Sequence, residues 1–189
     1  MDAGCTADSL AATASQTAPS DTLPPLPSTS ATPSPTEDPP GATGYPLPEE
    51  ARAYTPEGAR AFFDYFIAVL NASSAVNDPI PLRELGQGCE FCDELTQRYE
   101  QNAVDGLRVV GADLVLTGVG EVVVGPTTAG ADGAGMAFTA NQTASQVFDA
   151  AGALILDTPP IELVGSVGLV WLSDQRDWLV NELGLDMRT

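Results

Sequence analysis

The sequence predicts an α+β domain in which N-terminal helices pack on a strongly bent antiparallel sheet, carried behind a long Pro/Ser/Thr-rich tether. Three observations predict it. Ten of the 16 prolines fall before Arg52. Apolar residues then recur at spacings of three and four between Ala59 and Leu70. From Leu107 onward the period changes to two, and helical spacing does not return. Helices first and a meander afterwards is the sequence pattern of an α+β layer arrangement.

Residues 1–53 read as a disordered tether and residues 54–189 as the folded domain. Runs such as Pro24-Pro25-Leu26-Pro27 and Pro33-Ser34-Pro35-Thr36 bury too little apolar surface to offset the entropy of ordering them. Prolines favour extended segments, so this stretch is expected to act as a semi-stiff spacer. Cys5 follows Ala3-Gly4 and precedes the spacer. Small residues before a cysteine and polar spacer after it are what remains of a bacterial lipoprotein processing site, so Cys5 is the expected point of lipidation. The competing reading is an incidental cysteine, or one that pairs between molecules.

In the domain, Thr55-Pro56-Glu57 is a helix start: a capping hydroxyl, a proline suited to the first helical position and a negative charge at the positive end. Ala59, Phe62, Phe63, Phe66, Ile67 and Leu70 give that helix one broad apolar face, with Tyr65 and Val69 at its border, as far as about Val76. Asn77-Asp78-Pro79 stops it. Pro81 to Leu85 reads as one short helical turn, and Cys89-Glu90-Phe91-Cys92 opens a helix running to roughly Val104.

Val110, Ala112, Leu114 and Leu116 alternate as one half-buried strand. Strands follow at Glu121 to Val124, from Met136, at Gln146 to Asp149 (a further strand or the continuation of the last) and at Ala153 to Leu156. Ile161 to Leu172 reads as a long strand with Gly165 and Gly168 as bend points, and Trp178 to Leu183 as the last. Phe62, Phe66, Val110 and Trp171 are expected to fill the concave side of the bent sheet.

Composition narrows the chemistry. Acidic residues number 26 against 7 basic ones, for a formal charge of -19, and lysine and histidine are absent. A phosphate backbone needs a basic patch, so nucleic acid is not expected as a partner. No Ser-His-Asp or Cys-His arrangement, His-bearing metal site or lysine Schiff base can be built. Gly118-Val119-Gly120 and Gly130 to Gly135 do not form a phosphate loop, and Asp132-Gly133 lacks calcium-ligand spacing. Neither a cofactor nor a metal is expected. No run of about 18 apolar residues offers a membrane span. Asp174, Asp177 and Glu182, or Glu90, Asp93 and Glu94, are acid/base candidates that read as solvated faces in so acidic a chain. Asn71-Ala72-Ser73 and Asn141-Gln142-Thr143 match a glycosylation acceptor pattern, meaningful only in a eukaryotic secretory route.

Three readings compete for Cys89 and Cys92. A disulfide would pin the loop-to-helix junction of an exported domain. A thioredoxin-like redox pair lacks the preceding strand and βαβ pattern. A zinc site lacks two further ligands. The disulfide is the expectation carried forward.

Thr55-Pro56-Glu57-Gly58-Ala59, the aromatic helix with Phe62, Phe63, Tyr65 and Phe66, then Asn71, Pro81-Leu82-Arg83, Gly88-Cys89-Glu90-Phe91-Cys92 and Asp177-Trp178-Leu179-Val180 together resemble a family of uncharacterised actinobacterial lipoproteins. Helices followed by a bent sheet also resemble the cone-shaped superfamily of nuclear transport factor 2 and ketosteroid isomerase. That resemblance implies a cone enclosing a pocket, with enzymes, binding modules and scaffolds among its members. The expected function is a membrane-tethered, extracytoplasmic domain on the outer face of the bacterial cell membrane. It would bind a small apolar ligand or an envelope protein without catalysis. The alternative is a small lyase, isomerase or hydrolase using cavity carboxylates with Tyr65 or Tyr99.

Overall fold

The computed structural model describes residues 46–188. Helix α1 spans Pro56–Val76. The Thr55 hydroxyl accepts from the Gly58 amide at 3.0 Å, which caps it. It ends at Asn77, whose left-handed conformation turns the chain back. The short α2 (Ile80–Leu85) follows, then α3 (Glu90–Asp105), closed by Gly106 at positive φ. Phe62, Phe63, Phe66 and Leu70, the residues that set the helical period, are all buried.

The segment before α1 also packs. A 3-10 turn at Glu49–Arg52 buries Ala51, and the carbonyl of Ala53 accepts from Trp178 Nε1 at 3.3 Å. Tyr54 stacks on Trp178 at 5.5 Å and lies 5.7 Å from Trp171, while the two tryptophans meet edge-on at 4.9 Å.

The strands form two antiparallel sheets. The larger has five strands in the order β2 (Leu114–Val119), β4 (Asp132–Gln142), β7 (Ile161–Leu172), β8 (Asp177–Met187), with β3 (Val123–Pro126) also paired to β4. Ala134, Met136, Phe138 and Ala140 are the buried face of β4, at period two, and Phe63 of α1 meets Phe138 at 5.0 Å. On β8 the buried set runs Trp178, Val180, Leu183: a register shift opposite Gly168/Leu169 leaves Asn181 as an extra residue, so both halves of the strand face the helices. The smaller sheet has three strands in the order β1 (Arg108–Gly111), β5 (Ser145–Phe148), β6 (Leu154–Thr158).

This architecture corrects the expected fold. It is α+β, but neither sheet is closed or strongly curled, so there is no nuclear transport factor 2-like cone. The reason lies in the stretch that reads as one strand through Val110 to Leu116. Gly111 and Ala112 both take positive φ, 78° and 67°, and two left-handed residues in succession cannot continue a ladder. The chain leaves the small sheet at Gly111 and enters the large one at Leu114. The matching break lies at Thr143-Ala144, where Ala112 donates to Ala144 O and Thr143 to Asp113 O. Curvature needed within one sheet is thus replaced by a step between two.

Two smaller expectations change with it. Val110 does not join Phe62 and Phe66 in the core but faces outward at 44% exposure, and Trp171 packs at the edge with Tyr54. Gly168 does mark an irregularity, whereas Gly165 pairs in regular register with Leu185.

Candidate functional site

The step between the sheets leaves a pocket of about 470 Å³ between α3, the C-terminal end of α1 and the inner face of the small sheet. Helix α3 contributes Phe91, Leu95, Arg98, Tyr99 and Asn102 at helical spacing, and α1 contributes Leu70 and Ser74. Val109, Ser145, Val147, Leu156 and Thr158 form the opposite wall. They share one face because Val109 pairs with Val147 and Val147 with Leu156, while Ser145 pairs with Thr158. Leu114, Gln142, Leu163 and Leu185 of the large sheet make the floor, with Ala112 at the step.

The lining is mainly apolar and contains no Asp or Glu, in a chain with 26 acidic residues. Its polar groups are Ser74, Arg98, Tyr99 and Asn102 on the helices and Gln142, Ser145 and Thr158 on the strands, with Arg98 the one charged side chain among them. The Tyr99 side chain is buried, and burial pushes its hydroxyl above the usual tyrosine value, while hydrogen bonding with Ser74 and the Arg98 charge pull the other way. Asn102 donates to Asn77 Oδ1 at 3.1 Å, and Asn77 in turn donates to Leu107 O at 2.9 Å, which fixes the end of α3 to the entry of the small sheet. Arg98 has no ion-pair partner among the described residues. An apolar cavity of this size with a few convergent donors is a binding-site geometry.

Of the residues singled out in the sequence, Cys89 and Cys92 form a disulfide, with Cα atoms 5.2 Å apart. Both are buried, so no outside thiolate reaches the sulfurs, and Cys89 Sγ caps α3 by accepting from the Cys92 amide at 3.1 Å. That is a structural bridge rather than a redox pair. Cys5 lies outside the described residues.

The acid/base candidates do not enter the pocket. Asp177 is held above the ordinary carboxylate value, first by burial, against the Trp178 amide and the Arg52 charge. Tyr65 is raised by its own burial and then by the charges of Asp177 and Glu84, against Arg52. Asp177 opens β8 and Tyr65 is on α1, and neither lines the pocket. Glu90 and Glu94 of α3 meet Glu182 of β8 across a separate shallow groove. Asp174 stands exposed in the turn before β8. No group of three or more Cys, His, Asp or Glu among the described residues is placed to hold a metal ion. Asp132 is taken up by a long contact from the Tyr54 hydroxyl, at 3.5 Å. Of the two glycosylation patterns, Asn71 has its amide engaged by β2, whereas Asn141 is exposed on β4. Among the described residues no helix is long and apolar enough to cross a membrane.

The sequence singles out Tyr99, as a hydroxyl, but not Arg98 or Asn102. An exposed arginine on a helix carries no signal of its own, and the small sheet that makes it a pocket residue follows from the break at Gly111.

No family model matches the chain, and no curated protein matches it. The resemblance to actinobacterial lipoproteins therefore has no match behind it, and the nuclear transport factor 2-like assignment fails on the open sheet. Similar chains are found among solved structures. The intermembrane space region of the chloroplast protein ARC6 matches with a TM-score of 0.52 at 15% identity, over 71% of this chain and 98% of that one. Aln2 from a Streptomyces species matches with a TM-score of 0.39 at 13% identity, over 66% of this chain and 87% of that one. At these identities the first likeness shows a common fold and nothing of function.

Proposed function

We propose that the chain is an extracytoplasmic protein held at the outer face of a bacterial cell membrane by lipid on Cys5. Its folded domain is a non-catalytic binding module whose pocket takes a small apolar ligand. The observation that carries the binding role is the pocket lining: mainly apolar, with its one charged group, Arg98, on the helix side, and no carboxylate. Support for the location is the Ala3-Gly4-Cys5 sequence ahead of a Pro/Ser/Thr-rich segment, together with a disulfide between the other two cysteines, which suits an oxidising compartment.

Titration of the full chain with the neutral probe N-phenyl-1-naphthylamine tests the binding role. Saturable one-to-one fluorescence enhancement is expected, weakened at least about tenfold in Leu156→Trp, which fills the pocket from an exposed strand. Absence of saturable binding would remove the proposal. For the anchor, labelled palmitate should enter the wild-type protein in its host and not Cys5→Ala, which should appear in the medium.

A second reading keeps the carboxylate chemistry, on the observation that Asp177 and Tyr65 are both raised and that the Asp177 charge is one of the causes for Tyr65. A screen of activated esters and enolisable ketones compares wild type with Asp177→Asn. Turnover by wild type alone would overturn the binding-module reading.

A further inference from the structure

We infer that the ligand is an amphiphile with a carboxylate head, an alkanoate in kind, its chain lying against the inner face of the small sheet and its head at Arg98. The inference rests on the binding-module reading and narrows it to a ligand class.

The argument begins with the arginines. In a chain with 26 acidic residues, Arg52, Arg60, Arg83 and Arg188 each sit within 4 Å of a carboxylate. Arg108 lies over the Phe148 ring, 4.4 Å from its centroid, and Arg176 is in the exposed turn before β8. Arg98 is different: it lines the pocket, and no carboxylate among the described residues pairs with it. A guanidinium with a free fork at the edge of an apolar cavity is matched by a planar, bidentate anion.

The neighbours agree with a carboxylate. Ser74 and Tyr99 offer hydroxyls on the same side of the cavity as Arg98, while the wall facing them is apolar at Val109, Val147 and Leu156, with uncharged hydroxyls at Ser145 and Thr158. A head with two acceptor oxygens uses the polar side, and an unbranched chain uses the apolar wall. The remainder of the molecule opposes such a ligand. A formal charge of -19 repels anions at long range, so any preference for an anion has to come from the local donors. A cationic head has no acceptor group of opposite charge in the lining, and a neutral hydroxyl head forfeits the charge-assisted pair.

The test measures binding of dodecanoate, dodecanol and dodecyltrimethylammonium to the full chain by calorimetry, each below its micelle concentration, with wild type and Arg98→Gln compared. Arg98 is exposed on α3, so the substitution leaves the fold intact, which circular dichroism checks. Wild type should bind dodecanoate at least about tenfold more tightly than dodecanol, and Arg98→Gln should abolish that difference while leaving dodecanol unchanged. Equal binding of dodecanoate and dodecanol, or tightest binding of the cation, overturns the head-group assignment and leaves the apolar pocket standing. An anion preference that survives in Arg98→Gln overturns it too, because the head then sits elsewhere. If none of the three binds, the binding-module reading itself falls.

Discussion

The side-chain amide of Asn71 pairs with the backbone of Leu114 as a neighbouring strand would. Its Nδ2 donates to Leu114 O at 3.0 Å, and its Oδ1 accepts from Leu114 N at 2.8 Å. A helix residue thus satisfies both polar groups of the first residue of β2, where the chain has just left the small sheet and has no ladder partner on that side. The pair ties the helix layer to the large sheet at the step beside the pocket. Asn71→Ala removes both bonds and leaves two part-buried backbone groups unpaired, so unfolding in urea should show a loss of about 2–3 kcal/mol. Asn71→Asp keeps the acceptor but sets a carboxylate against a carbonyl, and should be no better than alanine.

The disulfide and Gly86 form one packed junction. A Cβ at Gly86 would lie 2.7 Å from Cys92 Cβ, 2.8 Å from its sulfur and 2.8 Å from the Leu82 carbonyl. Gly86→Ala should therefore cost about 1–3 kcal/mol by overpacking. Replacing both cysteines with alanine should cost about 2 kcal/mol, the modest value expected for a loop closed between residues three apart. Complete reduction of the wild-type protein should reproduce that loss. Equal stability with and without the bridge would show that helix packing alone holds the junction.

How much of this is legible in the sequence depends on whether a residue announces its backbone state. Helix α1 is readable to its ends, because Thr55, Pro56 and Asn77 are the residue types that capping and left-handed termination require. The ends of β7 are readable for the same kind of reason, since the pair Pro159-Pro160 precedes it and a polar turn follows. The break at Gly111-Ala112 is not. Alanine at positive φ has no sequence signature, and the apolar alternation runs straight through it from Val110 to Leu116. Everything that depends on the break is hidden with it: the second sheet, the outward-facing Val110 and the pocket that Arg98 lines. The disulfide needs no such detail, because two cysteines three residues apart at a helix start are already close enough to bond.

Gly165 is a place of close approach rather than the bend its position in a long strand suggests. Its missing Cβ makes room for the Phe138 ring, whose Cζ would be 2.6 Å away, and for the backbone carbonyl of Gly184. The strand is central, and the ring is part of the core between α1 and the sheet. Gly165→Ala should thus destabilise by about 2–3 kcal/mol. Gly125→Ala on β3, where nothing lies within 4 Å, should stay within about 0.5 kcal/mol. Denaturant midpoints of the two variants side by side test the assignment, and similar values for both would contradict it.

Asp177 sets a pH dependence of opposite sign to that of a salt-bridged carboxylate. Burial is the largest influence on it and holds its carboxyl above the ordinary value, although the Trp178 amide donates to Oδ1 at 2.8 Å and Arg52 is near. The folded chain therefore holds this proton more tightly than the unfolded chain does. Its contribution to stability is fully present below the unfolded value and is lost as pH rises through the folded one. An amide in its place carries no such proton, so Asp177→Asn should match wild type in acid and become more stable than it as pH rises through that window, with a constant gap above it. Urea midpoints from about pH 3 to about pH 8 measure the gap. Tyr65 supplies an independent readout, because the Asp177 charge is one of the causes that raise it. In Asp177→Asn the ultraviolet titration of that phenol should move to lower pH. A wild type more stable than Asp177→Asn at neutral pH would mean that Arg52 and the Trp178 amide outweigh burial, and the sign of the pH dependence would be reversed.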